Sequence, residues 1–243
     1  MERELEYAQL VVGNLLPKVP PHSDRLKIDF RYVSLEAIGG DFFSFNSLHD
    51  QGLGVFIGDV AGHGVAAALF LSLVRSATER LNSVAGTSPS RYIKYLNSDL
   101  TERTAVFFLT ALYGYFDFSA DGTSFRFAKG GHTPPVLFRA GETEARLLRS
   151  GGMPVGVFMD AEFQEIGIDL NSGDRVYLYT DGIIEARNEK QDMLGPEGLL
   201  ELVRRGGGMS LGESLDFILK ETAQFRGSGP AEDDIIIIGF EVA

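Results

Sequence analysis

The chain has 243 residues, 44% of them hydrophobic, and it contains no cysteine. This composition supports a buried core and excludes disulfides, thiolate metal sites and cysteine nucleophiles. The formal net charge of −12 argues against a nucleic-acid-binding surface, because phosphate backbones are bound by basic residues. No apolar run approaches the ~20 residues needed to span a membrane, and the first residues do not resemble a signal peptide, so we expect a cytoplasmic protein.

The first predicted element is a helix over residues 3–16, with its apolar residues on one side and a proline-rich stop at residues 17–21. This helix is either a packed edge element or a linker from a longer protein. We therefore separate an N-terminal helical segment, residues 1–20, from a single domain over residues 21–243. No repeat or clear linker interrupts that domain.

The rest of the chain predicts an irregular series of strands and helices. Alternation of apolar and polar residues and turn signals such as Asp121-Gly122 define most of the strands. The predicted strands cover residues 27–35, 52–59, 106–118, 124–128, 135–138, 146–148, 162–170, 175–180 and 235–242, and the predicted helices cover residues 65–81, 88–101, 196–203 and 211–225. Because strands and helices do not alternate regularly, this order predicts an α+β fold with two antiparallel sheets flanked by helices.

Acidic residues stand at the predicted strand ends, next to Gly-rich or polar turns. They are Asp41, Asp59, Asp181 and the pair Asp233-Asp234. Any one of them alone is better explained as a turn or cap residue. Together they indicate a metal site, because clustered carboxylates repel one another unless a cation joins them, and Mg²⁺ or Mn²⁺ prefers oxygen ligands.

Two histidines, His63 and His132, lie among glycines, where the backbone can approach closely. Each is equally compatible with a structural hydrogen bond and with acid catalysis. A zinc site is disfavoured by the absence of cysteine and the presence of only four histidines. Residues 208–212 match the Gly-x-Ser-x-Gly pattern, but that nucleophile motif follows a strand, whereas here a predicted helix precedes it. Ser210 is therefore expected to cap the next helix.

Five motifs in this order resemble bacterial SpoIIE/RsbU-type phosphatases of the PPM (protein phosphatase 2C-like) superfamily. They are Gly39-Gly40-Asp41-Phe42-Phe43, Gly58-Asp59-Val60-Ala61-Gly62-His63-Gly64, Gly130-Gly131-His132-Thr133-Pro134-Pro135, Tyr179-Thr180-Asp181-Gly182 and Asp233-Asp234-Ile235. The resemblance covers about residue 10 to the last residue. It implies a four-layer α-β-β-α sandwich, and it makes residues 21–243 a PPM-type phosphatase domain.

The resemblance also implies a centre of two Mg²⁺ or Mn²⁺ ions and a metal-activated water as nucleophile. Asp59 is expected to bridge the ions, the carbonyl of Val60 to complete one shell, Asp41 to serve the first ion, and Asp181 and Asp233 to hold the second. The expected supporting residues are Gly40, His63, His132 and Asp234. Two departures, Ser44 in place of an acidic residue and Ile236 in place of threonine, remove no expected ligand but alter the surrounding hydrogen bonds.

By resemblance, the substrate is phosphoserine or phosphothreonine on a bacterial regulator such as a STAS-type anti-sigma-factor antagonist. The resemblance also suggests an upstream sensor domain joined through the N-terminal helix, whose apolar stripe permits a homodimer. It further suggests that the helices after Asp59 are regulatory. Two alternatives remain open: a non-enzymatic binding module on the same fold, and a metal-dependent hydrolase of small phosphoesters.

Overall fold

A computed structural model describes most of the chain. The described residues are 13, 16–34, 39–48, 51–62, 64–103, 107–119, 122–231 and 233–243. The helix predicted over residues 3–16 lies almost entirely outside them, as do His63 and Asp121. Among the described residues, no helix is both long enough and apolar enough to cross a bilayer.

The described residues form ten strands and four helices. In chain order the elements are β1 (Leu26–Val33), β2 (Asp41–Ser47), β3 (Gly52–Val60), α1 (Val65–Ala85), α2 (Pro89–Arg103), β4 (Leu109–Ser119), β5 (Gly122–Gly130), β6 (Val136–Phe138), β7 (Ala145–Leu147), β8 (Glu165–Leu170), β9 (Arg175–Tyr179), α3 (Gly195–Gly206), α4 (Leu211–Arg226) and β10 (Ile235–Val242). They belong to two compact units, each with one five-stranded antiparallel sheet and two helices. The predicted α+β class with two antiparallel sheets and flanking helices is confirmed.

The first unit contains the described parts of residues 1–19, 37–132 and 150–170. Its strand order is β2-β3-β4-β5-β8, and the predicted hairpin of β4 and β5 is present. The buried rings of Tyr92 on α2 and Tyr113 on β4 stack with centroids 3.7 Å apart. Tyr92 donates to the carbonyl of Thr78, and Tyr113 donates to that of Gly86. These contacts fix both helices against the sheet.

The second unit contains residues 20–34 and the described parts of 133–149 and 171–243, with strand order β1-β10-β9-β6-β7. All eight residues of β10 are buried, as its nearly unbroken apolar run predicted. Side chains of α3 and α4, including Leu199 and Leu215, pack on this sheet in one apolar core. Ser210 caps α4 through a capping box with Glu213, so the cap interpretation of the Gly-x-Ser-x-Gly sequence is confirmed.

Two features of the first unit were not predicted. Strand β2 was not predicted, because its adjacent buried residues Phe42 and Phe43 interrupt the alternation expected of a half-exposed strand. Helix α1 runs four residues beyond its predicted end at Leu81 and stops at Ala85, before Gly86. The other element boundaries differ from prediction by a few residues, as is usual where elements fray.

Candidate metal-binding site

Strand pairing in the first unit brings Asp41 and Asp59 side by side. The register of β2 and β3 places the two residues directly opposite each other. Opposed residues of an antiparallel pair have Cβ atoms about 5 Å apart on the same face. Asp41 is 2% exposed and Asp59 is half-buried, so both carboxylates are largely shielded from solvent. Like charges so arranged repel, and a cation between them removes the repulsion.

Gly40 lies where oxygen atoms of the first unit converge. A Cβ atom at this position would be 2.7 Å from Oδ1 of Asp59, 2.7 Å from the carbonyl oxygen of Val60 and 3.4 Å from that of Gly62. The amide of Val60 donates to the Gly40 carbonyl at 3.1 Å, which holds the two segments together. The space beside the Cα atom of Gly40 is therefore lined by oxygen atoms, and oxygen ligands suit Mg²⁺ and Mn²⁺.

His132 is buried near the same strands. Its Nδ1 is 2.8 Å from Oγ1 of Thr110, and Thr110 pairs with Asp59 in the β3–β4 ladder. His132 is 4% exposed. A hydrogen-bonded, buried imidazole of this kind can orient neighbouring groups, and Thr110 is a residue that the sequence analysis did not single out. No sequence motif contains Thr110, and only the pairing of β3 with β4 reveals that it lies opposite Asp59.

In the second unit, Asp181 and Asp233 flank the paired ends of β9 and β10. Thr180, fully buried, joins these ends: its amide donates to the carbonyl of Ile236 at 3.0 Å, and its Oγ1 accepts from the amide of Ile236 at 2.9 Å. Thr133 donates to the carbonyl of Tyr179. Both threonines stand in motifs named in the sequence analysis, which assigned a role to neither.

Electrostatics within the second unit indicate that its carboxylates are close. Burial raises the pKa of Asp181, and the charges of Asp233 and Glu185 raise it further. Asp233 is exposed, whereas Asp234 is 3% exposed and its Oδ2 accepts a hydrogen bond from Tyr32 at 3.4 Å. The first aspartate is thus available to a ligand, and the second is held within the protein.

Gly182 leaves room for this arrangement. A Cβ atom there would lie 2.2 Å from the carbonyl oxygen of Asp234, so any side chain would push the segments of Asp181 and Asp233 apart. Within the described part of the chain, no group of three or more His, Asp or Glu side chains is close enough together to hold a metal ion. The arrangement seen is therefore one carboxylate pair in each unit, with a backbone carbonyl beside the first pair.

The chain is similar to known proteins along most of its length. The family model described as Stage II sporulation protein E (SpoIIE) matches residues 49–243. Phosphoserine phosphatase RsbP of Bacillus subtilis is 29% identical over 189 residues, covering 76% of this chain and 46% of that protein. Phosphoserine phosphatase RsbU of the same organism is 27% identical over 198 residues, covering 81% and 58%. The chain thus spans about half the length of these curated relatives.

Solved structures show the same fold. The SiaA-PP2C domain of Pseudomonas aeruginosa has a TM-score of 0.85 at 23% identity, covering 99% of this chain and 96% of that one. The catalytic domain of the serine/threonine phosphatase PstP, described in complex with two manganese ions, has a TM-score of 0.60 at 13% identity, covering 90% and 99%. The family match extends over most of the chain, and the chain belongs to the SpoIIE family.

Proposed function

We propose that this chain is a PPM-type, metal-dependent protein serine/threonine phosphatase. The observation that carries the proposal is the oxygen-lined space beside Gly40, where a carboxylate oxygen of Asp59 and the carbonyl oxygen of Val60 converge. Asp41 lies opposite Asp59 in the β2–β3 ladder. This donor set fits a hard divalent cation and would suit few other groups. The names of RsbP and RsbU support phosphoserine as the substrate group.

The proposed cofactor is two ions of Mn²⁺ or Mg²⁺. Asp41, Asp59 and the Val60 carbonyl are the ligands proposed from the first unit, and Asp181 and Asp233 those proposed from the second. Bound divalent ions polarise phosphoryl oxygens and lower the pKa of a coordinated water. The manganese complex of PstP supports this cofactor assignment.

The chain's own residues act by holding these donors in place. The β2–β3 ladder sets the position of Asp59 relative to Asp41, and Thr180 sets the end of β9 relative to the start of β10. Gly40 and Gly182 leave space beside the proposed ligands, because a Cβ atom at either position would lie 2.7 Å or less from an oxygen atom. His132 and Asp234 support them from buried positions. His63 is proposed as a further supporting residue on resemblance alone.

The proposed physiological substrate is a phosphorylated bacterial regulator, such as an anti-sigma-factor antagonist of the STAS type. That substrate class places the activity in the cytoplasm. Residues 21–243 are proposed as the phosphatase domain. Residues 1–20 are proposed to link this domain to an upstream sensor domain, and the helix that the sequence predicts over residues 3–16 is proposed to dimerise through its apolar stripe.

The test is phosphate release from a phosphoserine peptide in the presence of Mn²⁺. We expect release by the native chain and a loss of at least about 100-fold in Asp59→Asn, because a proposed ligand to both ions is weakened. Asp169→Asn is the matched control, since Asp169 is exposed on β8. Calorimetric titration with Mn²⁺ accompanies the assay.

Each outcome bears on one hypothesis. Metal-dependent release that Asp59→Asn abolishes and Asp169→Asn preserves supports the phosphatase. Mn²⁺ binding by a chain that releases no phosphate from any phosphoprotein would favour the binding module on the same fold. Turnover of nucleotides or sugar phosphates in preference to phosphoproteins would favour a small-molecule phosphoesterase.

A further inference from the structure

A cavity of about 210 Å³ lies in the second unit beside one of the proposed ligands. It is bounded on one side by the segment that follows Asp181 and on another by the end of α4 and the residues leading to β10. Its lining residues are Gly182, Glu185, Ala186, Arg187, Arg226, Pro230, Ala231 and Asp233. Nothing in the proposed chemistry of the metal centre uses its two arginines.

Arg187 reaches the cavity from a well-ordered turn. The Oδ1 atom of Asn188 accepts hydrogen bonds from the amides of Lys190 at 2.8 Å and Asp192 at 3.0 Å. The Nη1 atom of Arg187 donates to the carbonyl of Gln191 at 3.2 Å, across the same turn. These bonds give the guanidinium a defined direction before any ligand arrives, which lowers the entropy cost of binding.

Arg226 is the last residue of α4 and lines the opposite part of the cavity. Its Nε atom is buried and has no hydrogen-bond partner in the described part of the chain. A buried donor without an acceptor is costly, and such groups normally bond to protein, water or a ligand. A basic residue at the C-terminal end of a helix also interacts favourably with the helix dipole, and this simpler role alone would not need a cavity.

Charge and size indicate what the cavity would take. Its lining carries two guanidinium groups and two carboxylates, those of Glu185 and Asp233. When Asp233 binds a cation, the remaining charge of the lining is positive. The volume is below the roughly 300 Å³ at which pockets for whole small molecules begin, and is suited to one side chain. Arginine recognises carboxylate and phosphate through paired, charge-assisted hydrogen bonds.

We propose that this cavity binds an oxyanion-bearing side chain of the phosphoprotein substrate through Arg187 and Arg226. The oxyanion belongs either to the phosphoserine itself or to an acidic residue near it in the sequence. The proposal rests on the proposed phosphatase function for the identity of the partner. It makes the two arginines specificity determinants that lie outside the metal ligands.

Binding of labelled peptides, measured by fluorescence anisotropy with the full chain and Mn²⁺, tests the proposal. Three peptides are compared: a non-hydrolysable phosphonate analogue of phosphoserine with neutral neighbours, the same analogue followed by two aspartates, and an unphosphorylated serine followed by two aspartates. The variants are Arg187→Gln and Arg226→Gln, which lie on different elements, with Arg226→Lys as a conservative change. Arg204→Gln is the control, because Arg204 is exposed and pairs only with Glu201 among the described residues.

We expect Arg187→Gln and Arg226→Gln each to weaken binding of the aspartate-flanked phosphonate about tenfold, as loss of a partly exposed charge-assisted contact does. Arg226→Lys should lose less, and Arg204→Gln should bind like the native chain. An equal loss for the neutral-flanked phosphonate assigns the cavity to the phosphoryl group. A loss confined to the aspartate-flanked peptides assigns it to a neighbouring carboxylate.

The proposal is overturned if both arginine variants remain folded by circular dichroism and bind every peptide like the native chain. It is also overturned if Arg204→Gln weakens binding as much as they do, since net charge would then explain the effect. Phosphate release is measured separately. Arginine-dependent binding without release would refute the phosphatase activity alone, and release with arginine-independent binding would refute the oxyanion site alone.

Discussion

Replacement of Gly40 by alanine tests the proposed metal site by adding a single methyl group. The added methyl group would lie 2.7 Å from both Oδ1 of Asp59 and the carbonyl oxygen of Val60. This is about 0.7 Å closer than the 3.4 Å at which ordinary contact begins. Because one of these oxygens belongs to the backbone, the strain cannot be relieved by rotating a side chain alone. The change removes no ligand and no charge.

The magnitude follows from how strictly the ion is coordinated. Mg²⁺ requires near-ideal octahedral geometry with ligands at about 2.1 Å, so a shift of several tenths of an ångström in two donors is large on that scale. Changes beside metal ligands usually weaken metal binding by about 10–100-fold, and we expect Gly40→Ala to weaken Mn²⁺ binding within that range. Overpacking should reduce the free energy of unfolding by only about 1–3 kcal/mol.

Calorimetric titration with Mn²⁺ and urea unfolding of the metal-free protein measure the two effects separately. Gly151→Ala is the matched control, because a Cβ atom there would meet nothing within 4 Å. The reasoning is refuted if Gly40→Ala folds and binds Mn²⁺ as tightly as the native chain. It is also refuted if Gly151→Ala loses affinity to the same extent.

Two further predictions concern buried hydrogen bonds. Thr180→Val leaves the buried amide of Ile236 without its acceptor and should lower the free energy of unfolding, measured in urea, by about 1–3 kcal/mol. Thr180→Ser keeps the acceptor and should lose less stability. Equal losses in the two variants would show that the hydroxyl does not matter. Burial raises the pKa of Tyr113 above its unfolded value near 10, so the stability that its neutral form contributes is present below about pH 10 and is lost as the pH rises beyond that. The free energy of unfolding should therefore decline between pH 9 and pH 11, and this decline should be shallower in Tyr113→Phe by up to about 1.4 kcal/mol per pH unit. The same slope in the variant and the native chain would contradict this account.

The parts of the fold that the sequence predicted are those where a single local rule operates. Strand β10 is apolar except for Glu241 because it is buried between β1 and β9, and α4 starts where Ser210 and Glu213 form a capping box. Strand β2 was not predicted because its adjacent buried phenylalanines, Phe42 and Phe43, interrupt the alternation of apolar and polar residues. Its position depends on pairing with β3, which is a tertiary property.

The acidic positions could be recognised from the chain, but the residues that hold them could not. Asp41 and Asp59 were noticed because each stands beside glycine, yet their direct opposition depends on the register of two strands. Thr110 stands in no motif, and the motif that contains Thr180 does not reveal its role, because both side chains bond to residues that are distant in sequence, His132 and Ile236. The assignment of the ligands to particular ions stays a prediction drawn from the family resemblance.

We propose that the two carboxylate pairs serve ligand binding rather than stability. Opposed like charges in a sheet are destabilising, and burial makes the charged form of Asp181 less favourable still. In each unit, pairing nevertheless brings the segments that carry these aspartates together, through the β2–β3 ladder in one and the bonds between Thr180 and Ile236 in the other. Gly40 and Gly182 keep the space beside each pair free of a further side chain. A cation bound by each pair would reduce this repulsion, and this is the physical reason for proposing a metal-dependent activity.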